Sequence, residues 1–278
     1  MSLNWILGIA SLLLVGFILD REIYFYEGTH LGPRVQAWLY DRWAKKYDAG
    51  KRESQLRDVE MLAQPLLDLL KDVAKPFILD FATGTGRLSY ALLSQDEFKG
   101  HIIALDLSQG MLEQASAKLL GLGTSEKVEL LRHQTLPLPF PDSAFDVVCA
   151  LEVLELFPNM DEPLAEFSRV LRPGGVFLTS RGTEESGRKA KVKSKTIFGS
   201  LLEKHGFEDS QISTWWKLFD RVIAKKEGSS DPVGARLLSE VIRCPQCGQT
   251  QWRKEAGQLI CQQCGRELSI TMEGIMLC

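Results

Sequence analysis

Positive charge is not in excess in this chain. Lys and Arg number 33 against 36 Asp and Glu, a formal net charge of -3, so nothing draws the whole molecule to a polyanion such as nucleic acid. Histidine is scarce, with four residues. Only Cys149 precedes residue 244, whereas a secreted disulfide scaffold would be shorter and would spread its cysteines along the chain; the pattern points to a reducing compartment. No Lys or Arg precedes the first apolar run and no evident small-residue cleavage site follows it, which argues against a cleaved signal peptide. What remains is ordinary for a globular protein: 278 residues, 45% hydrophobic and 25% charged, with room for one core domain and appendages.

Two nucleotide motifs are also missing. No G-x-G-x-x-G follows the first strand-like run, and Gly86-Arg87-Leu88 does not supply the Gly-Lys-Ser/Thr ending of a phosphate loop. Phe77 to Tyr90 (FILDFATGTGRLSY) reads instead as a strand ending at Asp80, a turn through Ala82-Thr83-Gly84-Thr85-Gly86, and a helix. The glycines let backbone N–H groups approach a ligand over the helix start. A second short strand, His101 to Leu105, ends in Asp106, twenty residues after Gly86. At that spacing a carboxylate can accept from both hydroxyls of a ribose.

Asp80-x-Ala82-x-Gly84-x-Gly86 resembles the first motif of the class I S-adenosylmethionine-dependent methyltransferases, in the branch of the ubiquinone and menaquinone biosynthesis enzymes, with Ala82 in place of the usual first glycine. Asp106-Leu107-Ser108-x-x-Met111 resembles the second motif, where the acid holds ribose and apolar neighbours flank adenine. The family commonly has Gly-Asp-Ala before Leu-Pro-Phe; this chain has His133-Gln134-Thr135, and the Gln134 carbonyl can still accept from the adenine amino group. Leu-Arg-Pro-Gly-Gly at residues 171–175 is among the family's most specific strings. The resemblance implies an α/β, Rossmann-like sheet of seven strands with an antiparallel last pair. It also implies an S-adenosylmethionine site formed by Tyr47, Asp80, Ala82, Gly84, Gly86, Asp106, Leu107, Met111, Gln134, Thr135 and Leu151, with Tyr40 and Tyr47 as lid residues or packing aromatics. Glu152 and Glu155 follow the fourth strand and face the ligand end of the sheet. The Pro-Cys nucleophile of cytosine-C5 enzymes is absent, as is the Asn/Asp-Pro-Pro-aromatic string of amino-group enzymes, so Cys149 reads as structural and no catalytic residue is assignable.

Residues Leu3 to Leu19 carry no charge and are apolar on all sides, enough to just cross about 30 Å of hydrocarbon. Basic residues on the C-terminal flank then place the bulk of the chain on the cytoplasmic side of a single-pass anchor. Helices are expected over Arg34 to Lys46 and Glu53 to Lys71. Arg181 to Lys195, with Arg188, Lys189, Lys191 and Lys193, is a basic loop that can remain solvated or dock on lipid.

At the other end, Cys244-x-x-Cys247-Gly248 and Cys261-x-x-Cys264-Gly265 place four thiolates around one tetrahedral, structural Zn²⁺. The last segment resembles the small zinc-ribbon activators of methyltransferases, which implies docking on its own catalytic domain. A ribbon reading RNA is disfavoured by seven basic against six acidic residues from Lys225 onward. The organisation expected is an anchor (1–20), interfacial segment and lid helix (21–50), methyltransferase domain (51–226), polar linker (227–240) and zinc ribbon (241–278). Three functions fit: methylation of a small hydrophobic or lipid-like acceptor at a membrane, methylation of protein or RNA, or a non-catalytic membrane-tethered binding protein that keeps the nucleotide fold.

Overall fold

The computed structural model describes residues 3–186, 192–255 and 257–278. Helix α1 (Leu3–Asp20) continues through a π-helical turn at Arg21–Phe25 and a 3-10 turn at Thr29–Leu31 into α2 (Pro33–Gln55). Pro33 starts α2 well because it needs no N–H partner there. The two helices expected over 34–46 and 53–71 are divided differently. Nothing between Lys46 and Gln55 breaks the first, and the second splits into a π-turn at Val59–Ala63 and α3 (Gln64–Leu69), with Pro65 in its first turn.

The core alternates strand and helix: β1 (Phe77–Phe81), α4 (Arg87–Leu93), β2 (His101–Asp106), α5 (Gln109–Leu120), β3 (Val128–Arg132), β4 (Phe145–Ala150), α6 (Asp161–Val170), β5 (Leu171–Gly182), α7 (Lys195–Lys204), β6 (Phe207–Trp216) and β7 (Phe219–Lys226). β1, β2 and β4 are buried along their whole length, as strands covered on both faces must be. α8 (Leu238–Val241), β8 (Trp252–Glu255), β9 (Gln258–Cys261), β10 (Glu267–Ser269) and β11 (Ile275–Leu277) follow. β10, β9 and β8 form a small antiparallel sheet.

The main sheet has eight strands, not seven, in the order β11-β3-β2-β1-β4-β5-β7-β6. β7 runs antiparallel between β5 and β6, as the resemblance implies. The extra strand comes from the chain's end: β11 pairs parallel with β3, Ile275 opposite Leu130 and Leu277 opposite Arg132, and covers an edge that would otherwise be open. Ribbon residues Leu259, Leu268 and Met276 belong to the same apolar cluster as Phe77 and Phe145 of the catalytic sheet. The Glu129 carboxylate accepts from the Leu238 N–H (2.6 Å), and the Ser116 hydroxyl donates to the Glu273 carbonyl (2.8 Å).

The segment after β7 is polar but not loose. Asp146, fully buried, accepts from Phe77 N–H (3.0 Å), Arg172 Nε (2.7 Å), Val233 N–H (2.8 Å) and Gly234 N–H (3.1 Å), and so straps residues 230–234 across the starts of β1 and β4. Removing one member of a buried, hydrogen-bonded ion pair strands the other charge and costs about 3–5 kcal/mol. Asp146→Ala is expected to lower stability by about that much in denaturant unfolding, with Arg172 left unpaired; a change below about 1 kcal/mol would show that the strap contributes nothing beyond a surface pair.

α1 does not bear out the expected span. Its 18 residues reach about 27 Å at about 1.5 Å each, short of about 30 Å of hydrocarbon. Among the described residues no helix is long and apolar enough to cross a membrane. α1 nevertheless leaves large apolar side chains exposed along its length, from Trp5 (70%) through Leu12 (74%) to Phe17 (62%). The basic loop also reads differently. Arg181 is buried and pairs with Asp220 (2.7 Å), and Lys195 lies 3.6 Å from the same carboxylate, while Arg188, Lys189 and Lys191 lie outside the described residues.

Candidate active site

The strand order reverses between β1 and β4, and a crevice opens beyond the C-terminal ends of these strands. The turn after β1 takes the shape its small residues permit: Ala82, Gly84 and Gly86 all have positive φ, at 53°, 56° and 76°. Asp80 fixes this turn from beneath, accepting from the Thr83 hydroxyl (2.6 Å) and the Ser89 hydroxyl (2.7 Å). Burial pushes its carboxyl pKa up, and the two hydroxyls pull it back.

Asp106, at the end of β2, accepts from the Gly84 N–H (2.8 Å) and the Ser108 N–H (2.8 Å), one on each oxygen. Each oxygen keeps a lone pair, so the carboxylate can still accept from two hydroxyls. Burial pushes its pKa up to about 6, against the opposing pull of the Ser108, Gly84 and Leu107 N–H groups. A hydrogen-bonded ribose needs the ionised form. Nucleoside affinity is therefore expected to hold above pH 6 and to weaken about tenfold by one unit below the midpoint, and the dependence is expected to vanish in Asp106→Asn. Folding responds in the opposite sense. A carboxyl whose folded-state pKa is raised costs stability above that value, and the cost is relieved as pH falls from about 6 toward 4. Calorimetric titration with S-adenosylhomocysteine between pH 5 and 8 checks the first statement; a flat wild-type profile would refute it.

A cavity of about 380 Å³ adjoins this corner, lined by Ala82, Gly84, Asp106, Leu107, Gln134, Thr135 and Leu151. A Cβ on Gly84 would project into open space and encroach on the cavity. The Gln134 Nε2 donates to the Leu107 carbonyl (3.4 Å), which leaves its oxygen as the group available to a ligand amino donor. Tyr40 and Tyr47 from α2 line the same space with ring centroids 6.4 Å apart, and Tyr40 donates to Glu27. Burial raises both phenol pKa values, so both stay protonated. The wall continues into an apolar half made by Leu136, Val153, Leu156, Phe157 and Pro158.

Gly84 also borders a smaller recess, of about 50 Å³, whose basic residues sequence reasoning missed. Its charged members are Lys51, Asp80, Arg87 and Glu152. The Glu152 carboxylate receives Lys51 Nζ at 2.5 Å and Arg87 Nη1 at 2.8 Å. Arg87 also binds both oxygens of Asp58 (2.5 and 2.7 Å), donates to the Ser54 carbonyl, and lies over the Trp215 ring at 4.4 Å. Glu152 has φ 55°, a strained value for a non-glycine residue, held by its N–H to Ser180 Oγ (2.7 Å). Lys51 and Arg87 carry no motif of their own; only their positions on α2 and at the start of α4 bring them together.

Not every residue named from sequence lines these spaces. Asp80 borders the recess beneath the turn. Gly86 packs against α5, where a Cβ would meet Ala115 Cβ at 3.2 Å. Met111 is fully buried, and its N–H is capped by Ser108 Oγ (3.1 Å). Glu155 lies behind the wall, accepting from the Gly182 N–H (2.6 Å). Cys149 is buried, which pushes its thiol well up, as a structural cysteine requires.

The four ribbon cysteines place their Sγ atoms within 4.8 Å of one another. The Cys244–Cys264 and Cys247–Cys261 separations are 3.6 and 3.5 Å, close to the edge of about 3.8 Å that a tetrahedron with about 2.3 Å Zn–S bonds would have. Gly248 and Gly265 close the knuckles by donating to the Cys244 and Cys261 carbonyls (2.8 and 2.9 Å). The donor set fits a structural Zn²⁺.

Comparison with known proteins agrees with this geometry. A family model described as a methyltransferase domain matches residues 78–175, and one described as the zinc finger of the RNA-polymerase I-specific TFIIB, Rrn7, matches residues 240–267. The demethylmenaquinone methyltransferase of Bacteroides fragilis is 30% identical over 65% of this chain and 76% of its own length. That of Lactobacillus johnsonii is 34% identical over 49% of this chain, which spans only 56% of that enzyme. In the fold, a methyltransferase of Aquifex aeolicus superposes with a TM-score of 0.52 at 22% identity, over 63% of this chain and 96% of its own. The [4+2]-cyclase SpnF superposes at 0.51 and 17% identity, over 60% and 81%, so likeness at this level speaks for the fold alone. The chain belongs to the class I S-adenosylmethionine-dependent methyltransferases, among the relatives of the demethylmenaquinone and ubiquinone/menaquinone biosynthesis enzymes.

Proposed function

We propose that the chain methylates a small hydrophobic, quinol-like acceptor that it meets at a lipid surface, on the cytoplasmic side. The observation that carries this reading is the two-part cavity: a hydrogen-bonding half at Asp106, Gly84 and Gln134 runs without a wall into an apolar half at Leu136, Val153, Leu156 and Phe157. The relatives named for demethylmenaquinone support the acceptor class. The exposed apolar length of α1, of a kind that soluble monomers rarely leave bare, supports attachment to a bilayer.

Asp106 would hold the ribose hydroxyls, Gln134 the adenine amino group, and the recess charges the methionine end, Lys51 toward its carboxylate and Glu152 toward its ammonium. When bound, S-adenosylmethionine supplies an electrophilic methyl carbon on sulfonium. The protein's part is to fix the acceptor in line with that carbon and to exclude water, for which Tyr40 and Tyr47 stand over the cavity; positioning of this kind can supply about 7–11 kcal/mol of the barrier. Two measurements test the reading. Calorimetry should show S-adenosylmethionine binding, and none at millimolar concentration would favour a non-catalytic binding protein. Tritiated-methyl transfer on fractionated lipid, protein and RNA, with demethylmenaquinol as a defined acceptor, should label lipid, and label confined to RNA or protein would discard the acceptor assigned.

A further inference from the structure

His133 stands where the family resemblance has a glycine, and both of its ring nitrogens are buried without a hydrogen-bond partner. Among the described residues that line the main cavity, no other leaves a buried side-chain polar atom unpartnered. Such an atom costs stability in an interior, typically about 1–3 kcal/mol, unless water or a ligand completes it, so on a cavity wall it marks a position that a bound molecule can use. The backbone holds the residue firmly at this place, since its N–H donates to the Asp106 carbonyl (3.0 Å) directly after the β3–β2 pairing ends.

We infer that His133 is the base that takes the acceptor's proton during methyl transfer; the inference rests on the acceptor reading above. In that step the acceptor's oxygen or carbon forms a bond to the methyl carbon and the carbon–sulfur bond breaks with its electron pair going to sulfur. The acceptor's hydrogen, now surplus, passes as a proton to a ring nitrogen of His133 and then to water. The other candidates in the cavity are already committed. Tyr40 and Tyr47 are protonated, Glu152 is held by Lys51 and Arg87, and Asp106 is tied to two backbone N–H groups at the ribose position. Glu162 is exposed at the cavity's edge.

Burial holds the imidazole below its ordinary value, opposed by the backbone carbonyls of Pro137, Thr135 and Cys278, which approach the ring without reaching hydrogen-bond geometry, and by the charge of Glu166 on α6. Other titratable groups near it are Arg132, its chain neighbour on β3, Asp106 on the adjacent strand β2, the Cys278 thiol and, on the cavity lining, Tyr40, Tyr47, Glu152 and Glu162. The neutral, proton-accepting form therefore prevails at neutral pH, and kcat/KM is expected to fall as pH drops through the imidazole midpoint.

The test compares wild type with His133→Gln and His133→Asn on whichever fraction takes methyl label. Expected are a kcat loss on the order of 10²–10⁴-fold, disappearance of the histidine limb from the pH profile of kcat/KM for the acceptor, taken with S-adenosylmethionine saturating at every pH so that the Asp106 titration does not enter, and an S-adenosylhomocysteine Kd, by calorimetry, within about threefold of wild type. The proton NMR titration of the His133 ring in the free protein should share its midpoint with the wild-type kcat/KM limb. Retained kcat, a persisting limb, or a Kd that rises in step with the kcat loss would overturn the assignment and leave His133 as cofactor wall. Should both variants unfold, the NMR midpoint decides: disagreement with the kinetic limb overturns it. Failure of wild type to label demethylmenaquinol bears on the acceptor, so the two readings fail separately.

Discussion

Arg87→Ala is expected to destabilise the chain by about 3–5 kcal/mol and to abolish measurable S-adenosylmethionine binding. The guanidinium is the shared counter-charge of two carboxylates, Asp58 and Glu152, whose side chains are 6% and 11% exposed. Burial, and after it the charge of Glu152, push the Asp58 pKa up, and Arg87 is the main force pulling it down. Without Arg87 the two acids face each other across a low-dielectric gap, with Lys51 bound to Glu152 and Lys118 acting on Asp58 only through its charge, so one must take a proton or draw in water. Either outcome reshapes the recess beside Gly84 and frees α2, which Arg87 ties down through the Ser54 carbonyl. The measurement is paired: denaturant unfolding of the apo protein, and calorimetry with cofactor. Arg87→Lys separates charge from shape, because an ammonium cannot span Asp58, Glu152 and Ser54 at once; it should recover part of the stability and little of the binding. Wild-type stability in Arg87→Ala would mean that the two acids are solvated and the recess is not a charged site.

This cluster also marks where sequence reading reaches its limit. The bent corner Ala82-Thr83-Gly84-Thr85-Gly86 and the acid Asp106 were legible because both depend on local chemistry: small residues for positive φ, and a carboxylate at the end of the neighbouring strand. Lys51, Asp58, Arg87 and Glu152 are separated by up to 101 positions; Glu152 is placed at the ligand end by its strand, but Lys51, Asp58 and Arg87 look like ordinary surface charges, and only the folded chain makes the four one group. Gly86 and Met111 show the converse. They occupy motif positions, yet the structure uses one to bring α4 close to α5 and the other to fill the core. The four thiolates were legible from spacing alone, while the eighth strand was not, since Ile275-Met276-Leu277 is too short a run to announce its partner.

That strand makes the ribbon's metal a determinant of the cofactor wall. Removing zinc, by chelation or by Cys244→Ser with Cys261→Ser, is expected to weaken S-adenosylhomocysteine binding at least tenfold, about 1.4 kcal/mol, and to expose the β3 edge. The ribbon's own sheet is three short strands, too small to hold together without a staple, and structural zinc sites of this type contribute about 10–16 kcal/mol of apparent binding energy to folding. β11 is joined to that sheet through the Ile270–Met276 bridge and to the catalytic sheet through Leu130, Leu131 and Arg132. The last hydrogen bond of this ladder, Cys278 N–H to the Arg132 carbonyl (3.1 Å), sits one residue before His133-Gln134-Thr135, all of which line the cavity. Loss of the ribbon thus unpins the cavity wall from its far side, and it leaves an open parallel edge with Leu130 and Leu131 beside it, a site for aggregation. Hydrogen exchange should show β3 and β11 losing protection together on chelation, with the affinity loss restored by added Zn²⁺ in the chelated protein but not in the double variant. Unchanged protection in β11 after the metal is gone would show that the strand is held by the catalytic sheet alone and that the ribbon is a passenger.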